Sequence, residues 1–176
     1  MQKDNDMNDF YQLFINQLKD AYDDEKQLIK ALPKIIKAVQ SDELKKALEN
    51  HLEETKHQLT RLEEIGKELN EDFKGMECKA IRGILNEGDE LIGEFSGEVR
   101  DAAIIAACQR VEHYEIALYG ILKSFASHLN LNTVEDLISK TLKEEKEADK
   151  KLTELAEGRG GILSGINDRA MHKKSA

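Results

Sequence analysis

The chain is poor in residues that interrupt or staple a backbone. It has one proline, Pro33, and two cysteines, Cys78 and Cys108, and aromatic residues make up only 5% of its 176 positions. The cysteines lie far apart and match no metal or redox spacing, so they read as two reduced thiols rather than a disulfide or a thiolate site. Long hydrophobic runs are missing too. Nothing approaches the roughly 20 apolar residues that span a bilayer, and the opening MQKDNDMNDF lacks the apolar core of a signal peptide. The expectation is a cytoplasmic protein with no membrane partner. The net charge of −9 comes without a basic stripe to neutralise phosphates, so nucleic acid is not an expected partner either.

What is present is charge at helical spacing. Charged residues make up 35% of a chain rich in Ala, Glu, Lys and Leu, a profile of long helices, and the length suits one domain with a sizeable core. In residues 8–39, Phe14, Leu18, Ala21, Glu25, Leu28, Leu32, Ile36 and Val39 recur at steps of three and four, with Pro33 predicting a kink. In residues 41–69, Ser41 is the expected N-cap, with Asp42 and Glu43 in the first turn. The apolar stripe there passes through Leu48, His51, Thr55, Leu62 and Ile65. Residues 70–97 are apolar yet broken by glycines, which predicts short helices in a packed crossover. Residues 98–129 are apolar nearly all round, so both faces should be buried. Residues 134–157 open with Thr133-x-x-Asp136, a capping-box-like start. These elements predict a bundle over residues 1–157 and a flexible tail over 158–176.

Each predicted long helix carries an acid in or beside its apolar stripe: Glu25, Glu54, Glu112 and Glu145. A buried carboxylate costs several kcal/mol unless it is paired, protonated or bound to a cation. One such acid on each of four helices predicts a shared metal centre inside a four-helix bundle. Glu25 and Glu145 each fall within about 20° of the centre of their stripes. Glu112 and Glu115 point to one side of their helix, with Cys108 and Tyr119. Two histidines compete beside Glu54. His57 completes an E-x-x-H motif but falls roughly 140° from the stripe centre, whereas His51 is close to that centre. On the fourth helix Ala148 stands where a second E-x-x-H would place histidine, and Asp149 is the nearby substitute. A carboxylate-rich, histidine-poor set suits iron or manganese. His113 and His128 read as surface or hydrogen-bonded residues, and Tyr22 and Tyr119 as core.

Four stretches carry a family resemblance: AYDDEKQLIKALPK (21–34), HLEETKHQLTRLEEI (51–65), VRDAAIIAACQRVEHYEIALYG (99–120) and TLKEEKEADKKLTELA (141–156). Through them the chain resembles the ferritin-like superfamily, and within it the YciE/YciF group of bacterial stress-associated proteins. The resemblance implies an all-α, antiparallel four-helix bundle with a helical crossover between helices two and three. It also implies a homodimer and an inward-facing site for two metal ions. By position, Glu25, Glu54, Glu112 and Glu145 match the carboxylates of the superfamily's di-iron pattern, and His57 matches its first histidine. Ala148 departs from the second. Glu112-x-x-Glu115 resembles rubrerythrin, where an extra carboxylate on the third helix can be a ligand.

The expected function is that of an intracellular di-metal carboxylate protein acting in stress. It would oxidise Fe(II) with oxygen or peroxide, with two ions held about 3.5–4 Å apart by bridging carboxylates. Glu54 and Glu145 would bridge, Glu25 and Glu112 would be terminal, and His51 or His57 would complete one shell. The alternatives are manganese-dependent peroxide disproportionation and a non-catalytic helical stress or interaction protein whose metal site is vacant or structural.

Overall fold

The computed structural model describes residues 2–160 and 164–172, with side chains from residue 8 onward. Six helices follow one another: α1 (Gln2–Ala38), α2 (Asp42–Leu69), α3 (Lys79–Glu94), α4 (Gly97–His128), α5 (Asn132–Glu157) and α6 (Ile166–His172). Short turns at 39–41 and 129–131 make α1–α2 and α4–α5 antiparallel hairpins. The hairpins pack with α1 against α4 and α2 against α5, which closes a four-helix bundle. α4 touches α1, α3, α5 and α6. That central place accounts for a sequence apolar nearly all round.

Local chemistry sets the turns. Ser41 caps α2 by accepting from the Leu44 N–H at 3.4 Å, as its sequence predicts. Asp101, buried at the start of α4, accepts from the backbone N–H groups of Gln40 at 2.9 Å and Ser41 at 2.7 Å, and so ties the α1–α2 turn to the second hairpin. α2 ends at Asn70 in the left-handed region, with the Glu71 N–H returning to the Gly66 carbonyl at 2.8 Å. α1 continues unbroken through Pro33, which lies on an exposed face where the carbonyl it strands can be hydrated. The capping-box reading of α5 is corrected. The N-cap is Leu131 and makes no side-chain cap bond, so Thr133 is already the second residue of the helix.

The crossover forms one helix of 16 residues, α3, rather than several short ones. Packing offsets its glycines, because α3 lies along α4 and α1. At Gly88 it comes so near α4 that a Cβ would stand 3.3 Å from Ala107 Cβ. The chain beyond Glu157 also contributes structure. Gly158 caps α5 at φ 71°, and α6 lies on α4 and α5 with Ile166 in the core, where sequence alone predicts a flexible tail. Residues 161–163 and 173–176 of that tail lie outside the described residues. Both cysteines are free and buried.

The core is split. One apolar cluster is built from Leu28, Leu32, Leu44, Leu48, Ile104 and Leu152 and their neighbours. The other is built from Phe14, Leu18, Leu62, Ile65, Leu122 and Ile138 and theirs. Between them along every long helix runs a stretch of buried polar residues: Asp24 and Glu25 on α1; His51, Thr55 and Gln58 on α2; Glu112 and Glu115 on α4; Thr141 and Glu145 on α5.

Candidate metal centre

This layer brings five carboxylic acids into the bundle interior: Asp24, Glu25, Glu112, Glu115 and Glu145, each at most 1% exposed. Their helices place them there because each occupies a stripe position that a leucine or isoleucine fills one or two turns away. His51, Glu112, Glu115 and Glu145 converge most closely, each offering one ligand atom within 4.8 Å of the others. His51 Nε2 stands 3.3 Å from Glu112 Oε1. Tyr119 donates to Glu25 Oε1, and Gln58 donates to Glu145 Oε1. Gln58 also reaches Glu144 Oε2 at 3.2 Å, and Arg61 holds both oxygens of Glu144 at 2.6 Å.

Most remaining oxygen atoms have no partner. Both oxygens of Asp24 and of Glu115, and Oε2 of Glu25, Glu112 and Glu145, are buried without a hydrogen bond, as is His51 Nδ1. Buried polar atoms in native proteins are nearly always satisfied, so this concentration is itself a signal. Burial drives the acids of Asp24, Glu25, Glu112 and Glu115 well above their ordinary pKa values, and the charge of Glu145 adds to the rise in each case. Glu145 is raised by burial as well, opposed by the nearby His51. Without a counter-charge the cluster must hold protons. Divalent cations fit it: the donors are hard oxygens plus one imidazole, and four of the residues bring a donor atom within 4.8 Å of one another.

Of the residues singled out from sequence, Glu25, His51, Glu112, Glu115 and Glu145 lie in this layer. Glu54 does not reach it. Its side chain is 48% exposed, with Oε2 3.9 Å from His51 Nδ1. His57 is exposed. Asp149 lies at the α4–α5 seam, where it accepts from Gln109 at 3.1 Å and stands 3.4 Å from the exposed His113. Tyr119 is core, as expected, but also a hydrogen-bond donor to the centre. Asp24 and Gln58 escape the sequence reading. Gln58 has a legible signal, since His51, Thr55, Gln58, Leu62 and Ile65 continue one stripe at steps of four and three. Asp24 adjoins Glu25 within an acidic run that otherwise reads as solvated surface.

Two openings lead toward the centre. A charge-rimmed groove of about 460 Å3 between α2 and α5 carries Glu43, Lys46, Glu54, Glu147 and Lys151 and reaches His51 and Glu112. A smaller, apolar pocket lies among α1, α3 and α4 and ends at the same two residues. Among the described residues no helix is long and apolar enough to cross a membrane.

Four long helices around a buried acid layer, with a crossover helix laid outside, define a ferritin-like helical bundle. The solved structures agree. The crystal structure of the Escherichia coli stress protein YciF has a TM-score of 0.82 and 40% identity, covering 94% of this chain and 98% of that one. YcfI from Rhodopseudomonas palustris has a TM-score of 0.80 and 41% identity, covering 82% and 92%. A protein from Xanthomonas campestris pv. campestris, at 21% identity and a TM-score of 0.67, shares the fold. In sequence, protein YciF of Escherichia coli K12 is 42% identical over 163 residues, 92% of this chain and 95% of the relative. The chain belongs to the family described as "Domain of unknown function (DUF892)", which matches residues 9–170.

Proposed function

We propose that this chain is a di-metal carboxylate protein, holding two iron or manganese ions and oxidising Fe(II) with oxygen or peroxide under stress. The observation that carries the reading is the set of five buried acids with seven unpartnered oxygens, three of those acids converging with His51 within 4.8 Å. The description of the Escherichia coli relative as a stress protein supports the setting. His51, Glu112, Glu115 and Glu145 would hold the ions, and Glu25 would complete the set from α1. Glu145 would hold an ion from α5, within 4.8 Å of donor atoms of His51, Glu112 and Glu115. When bound, two Fe(II) ions supply two electrons, which with two protons reduce peroxide to two waters or oxygen to peroxide.

The protein's own groups do the rest. Gln58 fixes one oxygen of Glu145 and leaves the other free. Tyr119 does the same for Glu25. Arg61 clamps Glu144 and thereby sets the far end of the Gln58 bridge. The acids release protons as cations arrive, because ligation requires the deprotonated form. The two apolar clusters close the layer above and below and strengthen each electrostatic contact inside.

Metal analysis of protein purified without chelator after iron- or manganese-supplemented growth tests the reading. About two ions per chain are expected, as two-metal chemistry requires. None would leave a helical stress protein with a vacant centre. Fe(II)-loaded protein that oxidises no faster than free Fe(II), with either oxidant, would remove the catalytic part and retain the binding part.

A further inference from the structure

The apolar pocket has no role in the ligand set, yet it ends at the centre. Leu28 from α1, Ile84 and Leu85 from α3, and Ile104, Cys108 and Val111 from α4 line it. Its floor is His51 and Glu112, and its mouth is crossed by the Lys34–Asp89 ion pair at 2.8 Å, which ties α1 to α3. Burial pushes the Cys108 thiol up to about 12, so at neutral pH it is an apolar wall and not a thiolate.

We propose that this pocket is a binding site for a small non-polar reactant, dioxygen, and that it delivers that reactant to the His51–Glu112 side of the centre. The chemistry of the walls selects the occupant. A buried water needs two to four polar partners, and between mouth and floor the pocket offers none. Its volume of about 60 Å3 is several times the roughly 10–15 Å3 that admits one water, which suits a molecule of a few heavy atoms. Cations have a separate way in, since the α2–α5 groove carries the charged rim and reaches the same pair. Peroxide, a strong hydrogen-bonding solute, suits that charged rim too. The centre therefore has a charge-rimmed approach on one side and an approach without charged walls on the other. α3, the crossover helix, exists in the right place to roof the second.

Delivery rests on the proposed metal chemistry, whereas occupancy does not, and the two are measured separately. Xenon, a non-polar atom, is the probe for occupancy. Crystals of the full chain pressurised with xenon should show it between Leu28, Ile84 and Cys108, and Ala31→Leu, which fills the pocket from α1, should displace it. Xenon absent from the pocket overturns the proposal whatever the metal content. For delivery, the Fe(II)-loaded parent is compared with Ala31→Leu and, independently, Leu85→Phe from α3. Filling should raise the oxygen concentration for half-maximal oxidation by about tenfold, as a loss of ~1.4 kcal/mol would, with peroxide oxidation and metal stoichiometry unchanged. Equal slowing with both oxidants, or no slowing with oxygen in either variant, overturns delivery. A parent that binds xenon but no metal refutes the proposed function and leaves the pocket's ligand class standing.

Discussion

Gln58 on α2 donates to Oε1 of Glu145 on α5, and the same amide nitrogen reaches Glu144, so one neutral side chain orients the central acid of the layer. Glu145 could rotate without it, because Gln58 is the one neutral side chain that holds it by a hydrogen bond among the described residues. A partner that fixes a ligand in this way commonly contributes 10–100-fold to metal affinity. Gln58→Leu, similar in size and suited to a stripe position, should lower affinity by roughly that factor while helicity is retained. Titration of the apo variant with Fe(II) or Mn(II) under anaerobic conditions checks this, and affinity equal to the parent's would show that Gln58 is merely packing.

The raised acids give the metal-free protein a pH dependence of definite sign. Glu25, Glu112 and Glu115 are raised chiefly by burial and next by the charge of Glu145. A raised acid holds more protons folded than unfolded. Its stabilising contribution is complete below the unfolded pKa of about 4.3 and is lost as pH climbs through the higher folded value. The apo protein should therefore weaken from mildly acidic pH toward neutrality. Glu25→Gln and Glu145→Gln keep an oxygen to accept from Tyr119 and Gln58 and remove a charge. At neutral pH each should stabilise the apo form by on the order of 1 kcal/mol, or roughly 2–4 °C in Tm for a chain of this length. Both should lower metal stoichiometry. Thermal melts across pH with chelator present measure the first effect, and a parent whose Tm climbs from pH 5 to 8 while the variants' does not would contradict it.

Much of this was legible in the sequence. Helical periodicity alone places the four long helices, and it puts Glu25, His51 and Glu145 inward, as they are in the structure. A stripe position is a statement about burial, and burial is what periodicity encodes. On α2 the short motif and the apolar stripe point to different faces. Glu54-x-x-His57 has the right letters, yet both residues are exposed, and the inward face is His51, Thr55 and Gln58. Asp24 could not be separated from its acidic neighbours, because α1 is buried on the Asp24 side only by α-helical packing that no single-helix pattern reports. The tail misled for a related reason: a glycine-rich segment looks unstructured until its one anchor, Ile166, is seen against the core.

That anchor is testable. Ile166 is 1% exposed and is the one core residue that α6 supplies. A Cβ at Gly165 would meet the Ala156 carbonyl oxygen at 2.4 Å, so the chain approaches α5 as closely as a backbone can. Truncating a buried isoleucine typically costs 2–5 kcal/mol through lost burial and the cavity left behind. Ile166→Ala should cost about 2–3 kcal/mol in urea unfolding, near the low end because α6 is short and can settle inward. A cost below ~0.5 kcal/mol would mean that the segment is an appendage after all.

The histidines separate the stripe from the motif. His51 is 6% exposed, faces Glu112 with Nε2 at 3.3 Å, and has an unpartnered Nδ1. His57, on the far side of the same helix, is exposed. Glu54 lies between them at the charged rim of the α2–α5 groove. A metal-binding imidazole must be sheltered and within reach of the other donors; of the two, His51 is buried beside Glu112 and His57 is not. His51→Ala should lower metal affinity by roughly 10-fold or more. His57→Ala should leave it unchanged and alter stability by less than about 0.5 kcal/mol. Glu54→Gln should do something different again. Its charge is too exposed to act as a buried ligand but well placed to draw cations in, so the variant should slow metal uptake at low salt without changing final stoichiometry. Added salt should erase the difference, because charge steering is screened over about 10 Å at 0.1 M. Stopped-flow uptake alongside equilibrium titration reads all three variants. A lower stoichiometry in Glu54→Gln, with His57→Ala weaker than His51→Ala, would restore the E-x-x-H pair as the ligands of α2.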